Sequence, residues 1–182
     1  NCHVVLHEGL RMYIQWMFQW SDATGGGCTN CSLFSTELVS GWESFKSAGT
    51  QFINCFSTNG SMAFNSAGNF LVKNMTITIL PNSQPRDRWF SEHSPLIDIN
   101  TNIRSDYKYE EKGGVLENVT MIELGYINPD NDTLSGININ NHTPNIVVRG
   151  GLYSSPDYAP PSVLAGAKGL NSTGTNTVVD GF

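Results

Sequence analysis

Two stretches concentrate the residues that can move protons or hold a sugar. One is Arg86-Asp87-Arg88-Trp89-Phe90-Ser91-Glu92-His93; the other is Arg104-Ser105-Asp106-Tyr107-Lys108-Tyr109-Glu110-Glu111. Hydrolysis of a glycosidic bond uses two carboxyl groups, one protonated to release the leaving oxygen and one ionised as base or nucleophile. Asp87, Glu92, Asp98 and Asp106 are the candidates for that pair. Arg88, Trp89, Tyr107 and Tyr109 are the candidates for holding substrate, the rings by stacking on sugar faces. A lyase would instead need a base beside a uronate and cations for its carboxylate, roles open to Arg86, Arg88 and His93. The opposing reading of both stretches is a solvated loop with ordinary ion pairs, which contribute little. Which carboxyls meet is decided by the elements that carry them.

Other motifs point to less. Cys28-x-x-Cys31 has half of a zinc spacing, and Cys2 and His3 could complete four ligands, but no second half-site of recognisable spacing follows. Cys2, Cys28, Cys31 and Cys55 are an even count that an oxidising compartment could pair in three ways. The chain is large enough to do without such staples, so free and mostly buried thiols are expected. His3, His7, His93 and His142 are scattered, and neither a nucleophile elbow, a phosphate loop nor a dinucleotide fingerprint occurs. The expectation is no metal and no cofactor. Sequons at Asn30, Asn59, Asn74, Asn118, Asn131, Asn141 and Asn171 follow from a composition rich in Asn, Ser and Thr.

That composition also bounds the fold. Charged residues are 14 % of the 182, hydrophobic ones 39 %, and there are 18 Gly. Asn, Ser and Thr compete with the helix backbone for hydrogen bonds, which favours turns and strands. A net charge of −6 with only ten Lys and Arg argues against a nucleic-acid partner, which needs a basic stripe. No apolar run approaches the roughly 18 residues of a membrane helix. The chain opens on Asn1 and closes on a strand-like Val178-Val179-Asp180-Gly181-Phe182, so a fragment of a longer protein is expected.

Along the chain, Arg11–Trp20 alternates: Met12, Ile14, Trp16, Phe18 and Trp20 share one face. Period two with β-forming residues predicts a strand, although Leu6, Leu10, Ile14, Met17 and Phe18 also fit a helical face. Thr24-Gly25-Gly26-Gly27 reads as a flexible break. Beyond it one phrase recurs: Phe52-Ile53-Asn54-Cys55-Phe56, then Leu71-Val72-Lys73-Asn74-Met75-Thr76-Ile77, then Val115-Leu116-Glu117-Asn118-Val119-Thr120-Met121. Ile146–Leu152 and Val178–Phe182 repeat it with Gly in place of Asn. The pivots at 54, 74, 118, 150 and 181 are 20, 44, 32 and 31 residues apart. The step of 44 reads as two coils of 22, with Leu96–Asn100 near the middle. One strand per 20 to 32 residues is a solenoid signature, because coils that cannot bury their own apolar strand bury it by stacking. Asn and Gly suit the pivot because both tolerate left-handed backbone angles. Residues 1–42 are then an N-terminal strand or cap segment and 43–182 the coils. The competing architecture is an antiparallel β-sandwich, for which Asn59-Gly60 is the best hairpin turn.

The phrase in Val72–Ile77 and Val179–Phe182 resembles the coil repeat of pectate-lyase-like right-handed parallel β-helices. The Asn-, Ser- and Gly-rich texture is similar to that of bacteriophage tailspikes. The resemblance covers residues 43–182 and speaks to fold, with no catalytic signature. It implies a homotrimer on a virion tail, outside the cell, that binds bacterial surface polysaccharide as a receptor-binding segment. The alternative it implies is a polysaccharide depolymerase of the same fold, a glycoside hydrolase before a lyase; a secreted cell-wall lyase or adhesin comes third.

Overall fold

A computed structural model describes residues 1–6, 17–81, 96–100, 113–124, 135–139, 145–154, 168–172 and 177–181. These form strands and corners, with no helix among them. The strands are β1 (His3–Leu6), β2 (Phe18–Ser21), β3 (Gly27–Thr29), β4 (Ser32–Phe45), β5 (Gln51–Ile53), β6 (Phe56–Asn65) and β7 (Phe70–Lys73). They continue as β8 (Thr76–Ile79), β9 (Ile97–Asn100), β10 (Gly114–Glu123), β11 (Ser135–Ile139), β12 (Ile146–Ser154), β13 (Lys168–Ser172) and β14 (Val178–Asp180).

Every pairing among them is parallel, and the strands form one curled sheet. The antiparallel sandwich is therefore wrong. Its best hairpin, Asn59-Gly60, is a corner inside β6: Asn59 has φ 58°, its side-chain Nδ2 donates to the Ser35 carbonyl at 2.8 Å, and its side-chain Oδ1 accepts from the Leu80 N–H at 2.8 Å. Those partners lie on the preceding and following turns of the chain, so the residue that resembles a hairpin signal joins parallel neighbours.

The strands fall into three parallel stacks. The first holds β3, β5, β7, the opening half of β10, the opening half of β12, and β14. The second holds β1, the start of β4, the start of β6, β8 and the later halves of β10 and β12. The third holds β2, the ends of β4 and β6, β9, β11 and β13. Alternation decides what each stack buries, since successive side chains point to opposite faces. In Thr76-Ile77-Thr78-Ile79 the isoleucines are buried and the threonines half-exposed. Phe52, Val72, Leu116 and Val148 from the first stack, Leu33, Ile77 and Met121 from the second, and Trp42, Ile97 and Ile137 from the third share one core. Rings pack against one another in it: Phe18 stacks on Trp42 with centroids 4.3 Å apart, Phe64 on Phe70 at 3.9 Å, and Phe52 meets Trp42 edge-on at 5.9 Å. Of the predicted strand at Arg11–Trp20, Phe18–Trp20 belongs to β2, with Phe18 and Trp20 packed on the core; residues 11–16 lie outside the described residues.

The corner between the first two stacks is the predicted pivot. Asn54, Asn74 and Asn118 have φ of 52°, and Gly150 and Gly181 have 55° and 68°. The amides form a ladder, Asn74 donating to Asn54 at 2.9 Å and Asn118 to Asn74 at 3.4 Å. At Gly150 a Cβ would come within 2.7 Å of the Asn118 side-chain oxygen. The ladder begins one coil earlier than the sequence suggested, at Asn30 (φ 53°), which accepts from Asn54 at 3.3 Å. The step of 44 is one coil and not two: Glu117 pairs directly with Lys73, while β9 pairs with β6 and β11 in the third stack. Apolar alternation in Leu96–Asn100 marks a strand but not the stack that strand joins. The Gly25–Gly27 run is a corner rather than a loose break. Gly27 (φ 125°) lies so close to β5 that a Cβ would fall 1.8 Å from the Gln51 carbonyl oxygen.

Candidate functional site

The second stack presents an outward face of two side-chain columns. Register places Ser32, Phe56, Thr76, Thr120 and Leu152 in one, and Phe34, Thr58, Thr78, Ile122 and Ser154 in the other. Phe56 is 57 % exposed and Phe34 41 %, on adjacent coils and diagonal to each other. Hydroxyls surround them: Ser32 and Thr58 lie directly across, and Thr76 and Thr78 continue the same columns. His3 bonds the Ser32 hydroxyl at 2.8 Å at the edge of this patch. Val5 and Leu152 are also exposed on these columns, so the face is apolar at several positions.

The Asn ladder borders the face on one side. Beyond it the first stack turns outward a column of alternating charge: Lys73, Glu117, Arg149 and Asp180. Lys73 Nζ lies 2.7 Å from Glu117 Oε1. Such pairs are worth little each, but the alternation favours the observed register over a slipped one.

The third stack carries a different outward column, Gln19, Glu43, Ala63, Asp98 and Asn138. Glu43 is 4 % exposed. Burial pushes its carboxyl above the ordinary value, partly offset by hydrogen bonds from Asn65 (2.7 Å) and Gln19. Asp98 is also raised by burial and partly offset by the Asn138 amide, which donates to Oδ1 at 2.9 Å. Only the Ala63 rung separates the two acids, so their backbones lie roughly 10 Å apart at two strand spacings.

Of the predicted site residues, Asp98 is the one the described residues include. Asp87, Arg88, Trp89, Glu92, Asp106, Tyr107 and Tyr109 lie outside them. Asp98 is brought beside Ala63 and Asn138, with Glu43 one rung further. Sequence reasoning passed over Glu43, Phe34 and Phe56. The alternation Trp42-Glu43-Ser44-Phe45 sets Glu43 opposite the core face, a signal that was available; its alignment with Asp98 was not, because it depends on pairing across 55 residues.

The four cysteines are free. Cys28 and Cys31 occupy the inward positions either side of the Asn30 pivot, as Phe52 and Cys55 do around Asn54 and Val72 and Met75 around Asn74. The x-x spacing is thus the grammar of a corner. Among the described residues no group of three or more His, Cys, Asp or Glu is placed to hold a metal. No helix among them is long and apolar enough to cross a membrane. No family model, curated protein or solved structure matches the chain.

Proposed function

We propose that this chain is a stretch of right-handed parallel β-helix from a virion tailspike or tail fibre, working outside the cell as a homotrimer that binds bacterial surface polysaccharide. The observation that carries the reading is the outward face of the second stack. Phe34 and Phe56 offer apolar ring faces to the C–H faces of sugars, and Ser32, Thr58, Thr76 and Thr78 offer hydroxyls to their edges. The backbone beneath is fixed by parallel pairing on both sides, so little ordering entropy opposes binding. Pairing sets successive rungs of each column about 4.8 Å apart, a repetitive surface suited to a repetitive ligand.

The test is a panel of bacterial surface polysaccharides, with binding read by light scattering and chain length by chromatography. Binding that drops at least tenfold in Phe56→Ala and Phe34→Ala, with no change in thermal unfolding, supports the reading. Binding indifferent to both rings sinks it.

A depolymerase is the second reading, favoured by the Glu43–Asp98 column. A separation of roughly 6.5–9.5 Å between carboxyls suits an inverting hydrolase. In that reading Glu43, whose carboxyl is raised by burial, is the acid and Asp98 the base, with Asp87, Glu92 and Asp106 as further candidates. New reducing ends that vanish in Glu43→Gln and Asp98→Asn would favour it; binding without shortening would remove it.

A further inference from the structure

Among the described residues, the outward columns of the second stack carry no Asp, Glu, Lys or Arg. Register adds His3 and Val5 to the positions already named. His3 is the one titratable side chain on the columns, and the other positions are Ser, Thr or apolar residues. The exposed Asn ladder along one border is neutral as well. Beyond it each cation stands in register with a carboxylate: Lys73 with Glu117, and Arg149 with Glu117 and Asp180. Lys73 already holds Glu117 at 2.7 Å. On the opposite border, Glu37 lies in the bulge of β4 just past Phe34. The chain as a whole carries a net charge of −6.

We propose that this face selects an uncharged polysaccharide, one whose sugars bear no carboxylate, sulfate or phosphate. The inference rests on the polysaccharide-binding reading and narrows it. Ser and Thr hydroxyls both donate and accept, so Ser32, Thr58, Thr76 and Thr78 can meet sugar hydroxyls in either sense. Phe34 and Phe56 offer ring faces to the C–H faces of the same sugars. An anionic sugar in that place would lose hydration against the rings, with no cation of the columns to replace it. It would also approach Glu37 and Glu117 on a chain that is already negative. Like charges set at a border reject wrong partners, so the carboxylates exclude acidic glycans while the hydroxyls and rings hold neutral ones.

The experiment starts from an uncharged member of the polysaccharide panel whose binding drops in Phe56→Ala. Its primary hydroxyls are oxidised to carboxylates, and both forms are titrated onto the full chain in mildly alkaline, low-salt buffer, where free imidazole is neutral. The oxidised form should bind about tenfold more weakly, and about 1 M salt should restore most of the loss by screening. Thr58→Lys sets a cation beside Phe34. It should bind the oxidised form about tenfold better than the parent does, and the uncharged form no better, with thermal unfolding unchanged. The salt titration uses the parent chain and stands whether or not the variant folds. Two results would overturn the inference while leaving the rings as a glycan site. One is a panel member rich in uronate or phosphate that binds the parent as tightly and loses that binding in Phe56→Ala. The other is a loss on oxidation that neither salt nor the lysine relieves. Binding indifferent to the rings, or none across the panel, instead removes the polysaccharide reading and this inference with it.

Discussion

The pivot ladder and the Glu43–Asp98 column are both lines of polar side chains running from coil to coil, yet they obey different physics. In the ladder each rung does two jobs. Asn30, Asn54, Asn74 and Asn118 hold a left-handed backbone, and their amides bond to each other half in solvent. The bend favours Asn or Gly, and Asn serves at four successive rungs. The third-stack column has ordinary extended backbone, so nothing local dictates its residues. Glu43 and Asp98 are instead acids kept from water, each held by amide donors from Gln19 and Asn65 or from Asn138. Buried carboxylates cost stability unless well bonded, whereas the ladder stabilises at every rung. The first column reads as architecture, and the second is where a price is paid without an architectural return.

The largest effect that sharpens this contrast is at Asn74. Asn74→Val puts a β-branched residue at φ 52° and removes both amide bonds of that rung. Urea unfolding should show a loss of about 3 kcal/mol, from left-handed strain and lost hydrogen bonds together. Asn74→Gly keeps the bend and loses only the amides, so about 1 kcal/mol is expected. Equal losses in the two variants would mean that the bend is not what selects asparagine.

The second test concerns pH. Glu43 and Asp98 have folded values above their ordinary 4.5 and 3.8. Below those values both states are protonated and the groups contribute nothing. As pH rises past them, the unfolded chain releases protons that the folded chain keeps, so stability falls until the folded carboxyls ionise too. The difference in unfolding free energy between Glu43→Gln and the parent should therefore shift in favour of the variant as pH rises from about 4.5, then level off. A difference that stays flat from pH 4 to 8 would show that Glu43 is ionised as readily as in water, and the contrast with the ladder would collapse.

The same contrast explains what could be read from the chain. Pivots at Asn54, Asn74, Asn118, Gly150 and Gly181 were legible because the bend demands one of two residue types, flanked by apolar neighbours. Asn30 escaped because its inward flanks are both cysteines, Cys28 and Cys31, which do not repeat the larger apolar residues that mark the other pivots. β9 was legible as a strand, but its stack was not. Whether a strand continues the first stack or sits in the third depends on the corners before it, and the connecting stretches vary in length from coil to coil. Glu43 meets Asp98 only through Ala63. Three rungs separated by unequal connections leave no period to detect, so acids close in space stay far apart in sequence.

A smaller effect is expected at the charged column bordering the ladder. Glu117 pairs in register with Lys73 on one side and Arg149 on the other. Glu117→Lys would place three cations in line on a half-exposed face. Solvent screens them, so about 0.5–1 kcal/mol should be lost at low salt and most of it recovered at 1 M salt. A loss that salt leaves untouched would mean that the side chain acts through packing and not charge.

The smallest change in stability is expected where the largest change in binding is. Phe56 projects from the sheet with 57 % of its surface in water, and the core column beneath is filled by other residues. Phe56→Ala gives up little buried area, so unfolding should move by no more than about 0.5 kcal/mol. Phe64, at 0 % exposure and stacked on Phe70, should by contrast cost about 3–5 kcal/mol as alanine. An exposed ring that contributes nothing to folding is free to be selected by a ligand. If Phe56→Ala instead destabilised the chain as Phe64→Ala does, the ring would belong to the scaffold, and the outward face of the second stack would lose its claim as a binding surface.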